Sequence, residues 1–321
     1  MRRLLLLVAL ATLVLPAPTA GATVHLGVVG SPARMKDQTG QQSDAVLRFT
    51  GWGGGLRWGG NFAGLFDFGP RIPVFAFGTH VKSNTHEAIS PRGIAQGYGD
   101  RYLIAMNQAI ADYGRPIYIR PMAEMNGWWN FYSAFNKDGS SRGRSHSTKS
   151  FRLAFKRIYT ILHGGDVAAM NARFANWKVR KLQSTQLSLP ANDVPTLKVI
   201  WNPQGFGSPD IPANSAQAYY PGDRFVDVVA DDIYDIGGRY EYDAMVDLYK
   251  AHPGIPFAIG EFGLWDVDDP GFVRKIAYFI KNFKRTELAI YYESEKGSIF
   301  DLGDKPASRS AYRQNITPLE G

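Results

Sequence analysis

The sequence predicts a single α/β domain, a (β/α)8 barrel of the TIM type. Short apolar runs bounded by Gly, Pro, Asn or Asp recur along the chain and are typical of buried strands. Helical patterns lie between several of these runs, and this alternation indicates parallel strands joined by right-handed crossovers. Eight such runs in a chain of 321 residues fit one closed barrel. A doubly wound open sheet is the competing prediction.

The predicted strands share β-branched or apolar composition and short length: Val24–Val29, Ala45–Thr50, Ile72–Phe77, Pro116–Arg120, Leu197–Trp201, Phe225–Ala230, Pro256–Gly260 and Leu288–Tyr292. Helical spacing of apolar residues predicts three clear helices: Gly99–Gly114, Ser150–His163 and Pro270–Lys284. The link between the first two strands lacks a clear helical pattern. The glycine-rich segment Trp52–Gly69 is expected to be irregular, and no low-complexity linker divides the chain.

Composition excludes several classes of protein. Apolar residues make up 45% and charged residues 20% of the chain, which is ordinary globular usage and not that of a disordered, collagen-like or coiled-coil protein. The absence of cysteine excludes disulfides, thiol catalysis, iron–sulfur clusters and cysteine-ligated zinc. The net charge of +7 arises from scattered residues, so no nucleic-acid partner is expected.

The first 22 residues read as a secretory signal peptide. Arg2 and Arg3 precede an apolar run over 4–15, and Ala20-Gly21-Ala22 offers a cleavage site of small residues. An uncleaved membrane anchor is the alternative, but the run is shorter than the ~20 residues that span a bilayer. We therefore expect a mature domain over 23–321 that is secreted, extracellular and free of the membrane.

Chemistry-bearing residues follow several predicted strands, where the loops of a barrel converge on one face. These stretches are 120–130 after the fourth strand, 201–203 after the fifth, 231–234 after the sixth and 261–265 after the seventh. Five tryptophans lie just past predicted strand ends: Trp52, Trp128, Trp129, Trp201 and Trp265. Flat aromatic faces suit the apolar faces of pyranose rings, so a sugar-binding cleft is predicted.

Glu124 and Glu261 are the candidate catalytic acids. Each follows an apolar strand and is bracketed by Gly and aromatic residues instead of other charges. Such surroundings can keep one carboxyl protonated while its partner stays ionised, the arrangement used to cleave glycosidic bonds. A salt bridge or a helix cap is the alternative for either residue alone.

Three ordered motifs carry a family resemblance: 120–129 (RPMAEMNGWW), 219–227 (YYPGDRFVD) leading to 232–234 (DIY), and 259–263 (IGEFG). From about Val24 to the C-terminus, the chain resembles glycoside hydrolase family 26, the β-mannanase family. The resemblance implies a (β/α)8 barrel that cleaves β-linked glycans with retention of configuration. Retaining enzymes place their two carboxyl groups ~5–5.5 Å apart.

The resemblance also implies residue roles. Glu124 corresponds to the acid/base, Glu261 to the nucleophile, and Tyr234 to the residue whose hydroxyl orients the nucleophile. Further residues are expected to support the site or bind sugar: Arg120, Asn126, Trp129, Trp201 and Trp265. The chain departs from the family at Ala123, where histidine is usual, and in the aromatic cluster at 130–132.

The resulting expectation is a cofactor-free, monomeric, retaining endo-β-glycosidase that acts on a β-1,4-mannan-like polysaccharide. Xylan, mixed-linkage glucan or the producer's own exopolysaccharide are alternative substrates, and a non-catalytic carbohydrate-binding barrel is an alternative function. Asp231 and Asp232 are expected to be a loop or capping pair, and no metal site is expected because the histidines are dispersed. The basic loop 137–149 is expected either to be a solvated surface loop or to line the cleft and bind anionic glycans.

Overall fold

The computed structural model describes residues 24–52, 62–81, 84–182 and 184–321, and within them eight parallel strands close into a barrel. The barrel strands are β1 (His25–Gly30), β2 (Ala45–Thr50), β3 (Ile72–Phe77), β4 (Ile117–Pro121), β5 (Leu197–Trp201), β6 (Val228–Ile236), β7 (Phe257–Trp265) and β8 (Thr286–Ser294). Each strand pairs with its sequence neighbours, and β8 pairs with β1 to close the ring. The predicted (β/α)8 barrel is confirmed, and the open sheet is excluded.

Helices surround the barrel: α1 (Pro32–Thr39), α2 (Ala63–Phe66), α3 (Pro91–Ala95), α4 (Asp100–Tyr113), α5 (Thr148–His163), α6 (Val167–Asn176), α7 (Tyr242–Ala251), α8 (Pro270–Asn282) and α9 (Pro306–Asn315). The three predicted helices correspond to α4, α5 and α8. The expectation of no clear helix between β1 and β2 is wrong, because α1 lies there. Ser31 caps α1, Pro32 begins it and left-handed Gly40 ends it, but its amphipathic pattern is short, since only Met35 and Thr39 are buried.

Two apolar layers hold the barrel together. Aliphatic and small side chains, among them Ala45, Leu47, Ala76 and Ile290, fill its interior. A larger layer of aromatic and aliphatic residues packs between the outer strand faces and the helices. Toward the carboxyl ends of the strands, the interior side chains become polar, and the candidate site lies there.

β6 and β7 extend past their predicted ends at Ala230 and Gly260. Asp231 and Asp232 therefore lie within β6 and are both buried, so the expected loop or capping pair is wrong. The alternation of a strand sends the two side chains in opposite directions. Asp232 points into the barrel, and Asp231 accepts hydrogen bonds from the backbone of Gly205 in a neighbouring loop.

The signal-peptide prediction (1–22) and residues 53–61 of the glycine-rich segment, including Trp58, lie outside the described residues. The described part of that segment contains α2, so the expectation of irregular structure is wrong there. Within the described ranges, no helix combines the length and the apolar character needed to cross a membrane.

Candidate active site

The candidate site is a groove across the carboxyl ends of the strands. Two cavities of about 480 and 560 Å³ adjoin each other there. Both are lined by Phe49, Glu124, Trp129 and Glu261, so the two candidate carboxyls stand where the cavities meet. The first cavity extends toward β2 and β3, and the second toward β6, β7 and β8. A chain-like ligand could therefore lie on both sides of the carboxyl pair.

Glu124 lies in the loop after β4 with a left-handed backbone, φ 52°. This conformation is uncommon for a residue with a Cβ, and such strain concentrates at functional sites. One donor reaches each carboxyl oxygen: Trp129 Nε1 to Oε2 at 2.8 Å, and Gln204 Nε2 to Oε1 at 3.1 Å. Burial, and then the charge of Glu261, raise the pKa of Glu124, which favours a protonated acid.

A β-bulge aims Glu261 into the groove. Asp231 pairs with Ile259 but Asp232 pairs with Glu261, so β7 carries one extra residue at this point. Regular alternation would place Glu261 on the same outward face as Ile259. With the bulge, Glu261 Oε1 contacts the Arg120 guanidinium, and Oε2 accepts the hydroxyl hydrogen of Tyr234. The nucleophile candidate is thus held by a cation and a hydroxyl donor.

Arg120 joins three strands beneath the groove. Its guanidinium contacts both Glu261 and Asp232, and its Nε donates to Asn202 Oδ1 at 2.8 Å. The side chain is 1% exposed. Burial opposes the charge of Arg120, but Asp232 and Glu261 outweigh it and raise its pKa, so the group stays a cation. Burial raises the pKa of Asp232, and Arg120 opposes that shift.

Close packing around this network requires glycine at position 260. A Cβ there would overlap Asn202 Oδ1 and would lie 2.7 Å from Asp232 Oδ1. Real Cβ atoms do not approach neighbours so closely. Gly260 therefore lets the Arg120 partners reach the bulge in β7.

Some of the tryptophans predicted to bind sugar line the groove, and others are buried away from it. Trp129 and Trp265 are each 45% exposed along it, and Phe300 packs edge-on against Trp265 at 5.2 Å. Trp201, expected to bind sugar or support the site, has no exposed surface and packs against Tyr220 behind the barrel wall. Trp52 is likewise buried, stacked on Tyr102. A tryptophan at a strand end can face either the groove or the helices, and sequence order does not distinguish the two.

Asn126 is buried and supports the loops instead of facing the groove. Its amide nitrogen donates to the carbonyls of Gln204 and Phe206, and its amide oxygen accepts from the Gln204 backbone. The loop after β4 is thereby tied to the loop after β5. At the family's histidine position, Ala123 lines the first cavity together with His80, whose pKa is lowered by burial.

The basic loop 137–149 is partly structural. Arg142 donates to the carbonyl oxygens of Trp128 and Asn130, so it supports the loop that carries Trp129. Lys137 lies over the ring of Trp128 at 5.2 Å. Neither side chain lines the two central cavities.

Sequence reasoning missed Asp232 and Gln204 as site residues. Gln204 lies three residues beyond the end of β5, so the rule that places function at strand ends could have included it. Asp232 lies in the stretch 231–234 that the same rule selects, but only the extension of β6 and the bulge in β7 show that its side chain reaches Arg120.

Comparison with known proteins identifies similar barrels. A modular endo-β-1,4-mannanase of family 26 from Cellulomonas fimi matches with a TM-score of 0.57 and 18% identity, over 91% of this chain and 70% of that one. Mannanase BCman from Bacillus subtilis matches with a TM-score of 0.53 and 18% identity, over 92% and 86% of the two chains. The TM-scores show a shared fold, and the fold alone at identities this low.

Endoglucanase H from Acetivibrio thermocellus is 22% identical in an alignment of 246 residues that covers 70% of this chain and 22% of that much longer protein. No protein-family model matches the chain. The structural matches cover nearly the whole described barrel. In fold, the chain therefore resembles the mannanases of glycoside hydrolase family 26, as its motifs predicted.

Proposed function

We propose that this protein is a retaining endo-β-glycosidase that hydrolyses a β-linked polysaccharide of the β-1,4-mannan type. The observation that carries the proposal is the unequal pair of carboxyls in one groove. Glu124 is half-buried, and desolvation and the charge of Glu261 raise its pKa, whereas Glu261 contacts the cation Arg120 and the hydroxyl of Tyr234. Divergent surroundings of this kind divide two carboxyls into an acid and a nucleophile.

The proposed reaction has two steps. Glu261 attacks the anomeric carbon while Glu124 gives its proton to the glycosidic oxygen, which breaks the bond and releases the leaving chain. A covalent glycosyl ester on Glu261 results. Glu124, now a carboxylate, takes a proton from water as the water oxygen attacks the same carbon and frees Glu261. Two inversions give net retention.

Arg120 and Tyr234 act on the nucleophile. Both hold Glu261 through its two oxygens, and this leaves the carboxylate positioned for attack. The Arg120 cation stabilises the negative charge of Glu261 in the free enzyme, and it stabilises that charge again when the ester breaks and the carboxylate re-forms. Trp129 and Trp265 offer aromatic faces to sugar rings on either side of the carboxyls.

The shape of the groove supports internal cleavage. Because the cavities extend in both directions from Glu124 and Glu261, sugars can bind on both sides of the bond that breaks. An enzyme that trims chain ends would instead be expected to close one side. Oligosaccharides of several lengths should therefore appear early in digestion.

Release of reducing sugar from mannan, xylan, lichenan and charged bacterial polysaccharides tests the proposal. Glu124→Ala and Glu261→Ala should each lower turnover at least about 10²-fold, whereas Glu295→Ala, at an exposed surface position, should leave it unchanged. Full activity in either groove variant would refute the assigned roles. Binding of glycans by the wild-type protein without cleavage of any would favour the carbohydrate-binding barrel.

Azide separates the two glutamates. With an activated aryl glycoside, azide should restore turnover of Glu124→Ala and give a glycosyl azide of retained configuration, because the ester on Glu261 still forms. In Glu261→Ala, azide attacks directly and the product should be inverted. The opposite pattern would exchange the roles of the two residues.

We further propose that the protein is secreted and acts as a monomer. The signal over 1–22 supports export, and mature protein isolated from culture medium should begin at Thr23. Retention of the intact N-terminus in a membrane fraction would contradict cleavage. Sedimentation should give the mass of one chain.

A further inference from the structure

Gln204 occupies an unusual place beside the acid/base candidate. It lines the second cavity, is 8% exposed, and its Nε2 donates to Glu124 Oε1 at 3.1 Å. Because Nε2 donates to Glu124, the amide oxygen Oε1 of Gln204 points away from that carboxyl. Among the described residues, that buried oxygen has no hydrogen-bond partner.

The backbone of Gln204 is fixed relative to Glu124. The Asn126 amide binds both the N–H and the carbonyl of Gln204, at 2.9 and 2.8 Å, and Asn126 lies only two residues after Glu124. The next residue, Gly205, donates to Asp231 at 2.8 Å. The backbone of Gln204 is therefore held beside Glu124, and its side chain needs no movement of the loop to reach the carboxyl.

A buried acceptor without a partner is costly in a folded protein and is expected to bind something. In a groove built for a glycan, a sugar hydroxyl is the donor of matching size and chemistry. The second cavity is also lined by Tyr234, Ile236 and Trp265, and Gln204 contributes an uncharged amide acceptor next to the reacting centre.

We propose that Gln204 bridges the substrate and the acid/base: its Oε1 accepts a hydrogen bond from a hydroxyl of the bound sugar while its Nε2 orients Glu124. This inference rests on the proposed glycosidase function. The N–H of Gln204 stabilises the Glu124 carboxylate that forms when the proton leaves. Substrate binding at Oε1 would hold that donor in place during proton transfer.

A substitution at 204 leaves in place the other titratable residues that interact with Glu124. These are Arg120 on β4, Tyr132 in the loop after β4, Asp231, Asp232 and Tyr234 on β6, Glu261 on β7 and Tyr292 on β8. Burial and Glu261 raise the pKa of Glu124, and Gln204 and Trp129 lower it. Removing Gln204 should therefore move the titration of Glu124 to higher pH.

The test compares Gln204→Leu, which keeps the approximate size of the side chain, with Trp129→Phe and with exposed Gln108→Leu. Gln204→Leu should lower kcat/KM about 10- to 100-fold on the cleaved polysaccharide and move the alkaline limb of its pH profile upward. Trp129→Phe should shift the same limb, since it removes the other donor. Gln108→Leu should change neither. If Gln204→Leu unfolds, Gln204→Met replaces it.

A readout without turnover keeps this inference separate from the proposed function. Carboxyl-labelled glutamate allows the Glu124 resonance to be followed by carbon-13 NMR, with Glu124→Gln as the assignment control. An upward titration shift in Gln204→Leu supports the link to Glu124 even if no glycan is cleaved. An active wild type together with a folded Gln204→Leu variant of unchanged kcat/KM and unchanged titration would overturn the inference.

Discussion

Replacing Arg120 with methionine should destabilise the barrel more than any exposed substitution. The guanidinium is 1% exposed and contacts Asp232 and Glu261, so its loss leaves two buried carboxyls without their cation. Breaking a buried ion pair by removing one partner costs about 3–5 kcal/mol. With ~2.1 cal/mol/K per residue of unfolding entropy over roughly 300 residues, that loss corresponds to about 5–8 °C in Tm.

The loss of stability in Arg120→Met should grow as pH rises. Burial already raises the pKa of Asp232, and without Arg120 the pKa rises further. The folded variant then keeps a proton that the unfolded chain releases, so its stability falls as pH rises through this range. The deficit relative to wild type should be smaller at pH 5 than at pH 8.

Differential scanning calorimetry of wild type, Arg120→Met and the double variant with Asp232→Asn measures these effects. Asp232→Asn should restore part of the loss, about 1–3 kcal/mol, because it removes one unpaired buried charge. Arg101→Met, at an exposed position on α4, is the matched control. A Tm of Arg120→Met within 2 °C of wild type at pH 8, or a further decrease on adding Asp232→Asn, would refute the reasoning.

Three further substitutions probe the groove, the packing beneath it and the end of β8. Tyr234→Phe removes the hydroxyl donor to Glu261 and should lower kcat about 10- to 100-fold without unfolding the protein; unchanged kcat would contradict its proposed role. Gly260→Ala pushes a Cβ into the partners of Arg120, and thermal unfolding should show a loss of about 1–3 kcal/mol. Burial raises the pKa of Glu293 to about 7, so the stability that this residue contributes is present below its usual pKa and is lost as pH rises through about 7. Glu293→Gln should remove about 3 kcal/mol of that pH dependence. If the free energy of unfolding, measured by denaturation, changes equally with pH in wild type and variant, the prediction is wrong.

Much of the architecture could be predicted because local patterns are governed by local physics. Apolar runs such as Ile72–Phe77 and Leu197–Trp201 form strands with the predicted bounds, since both faces of a barrel strand are buried. The helix α1 escaped prediction because it buries few residues and relies on its caps. The ends of β6 and β7 escaped because carboxylates interrupt each apolar run, Asp231 and Asp232 in β6 and Glu261 in β7, and their burial depends on partners elsewhere in the fold.

Patterns along the chain were enough to predict the barrel, the placement of Glu124 and Glu261 near strand ends, and the family resemblance. These follow from periodicity, from the strand-end rule and from motifs contiguous in the chain. Tertiary structure decided which side chains face the groove. The bulge in β7 turns Glu261 inward, whereas Trp201 faces the helices and is buried. The strand-end rule places Asp232 and Gln204 near this face, but their contacts with Arg120 and Glu124 form because strands and loops distant in sequence pack side by side.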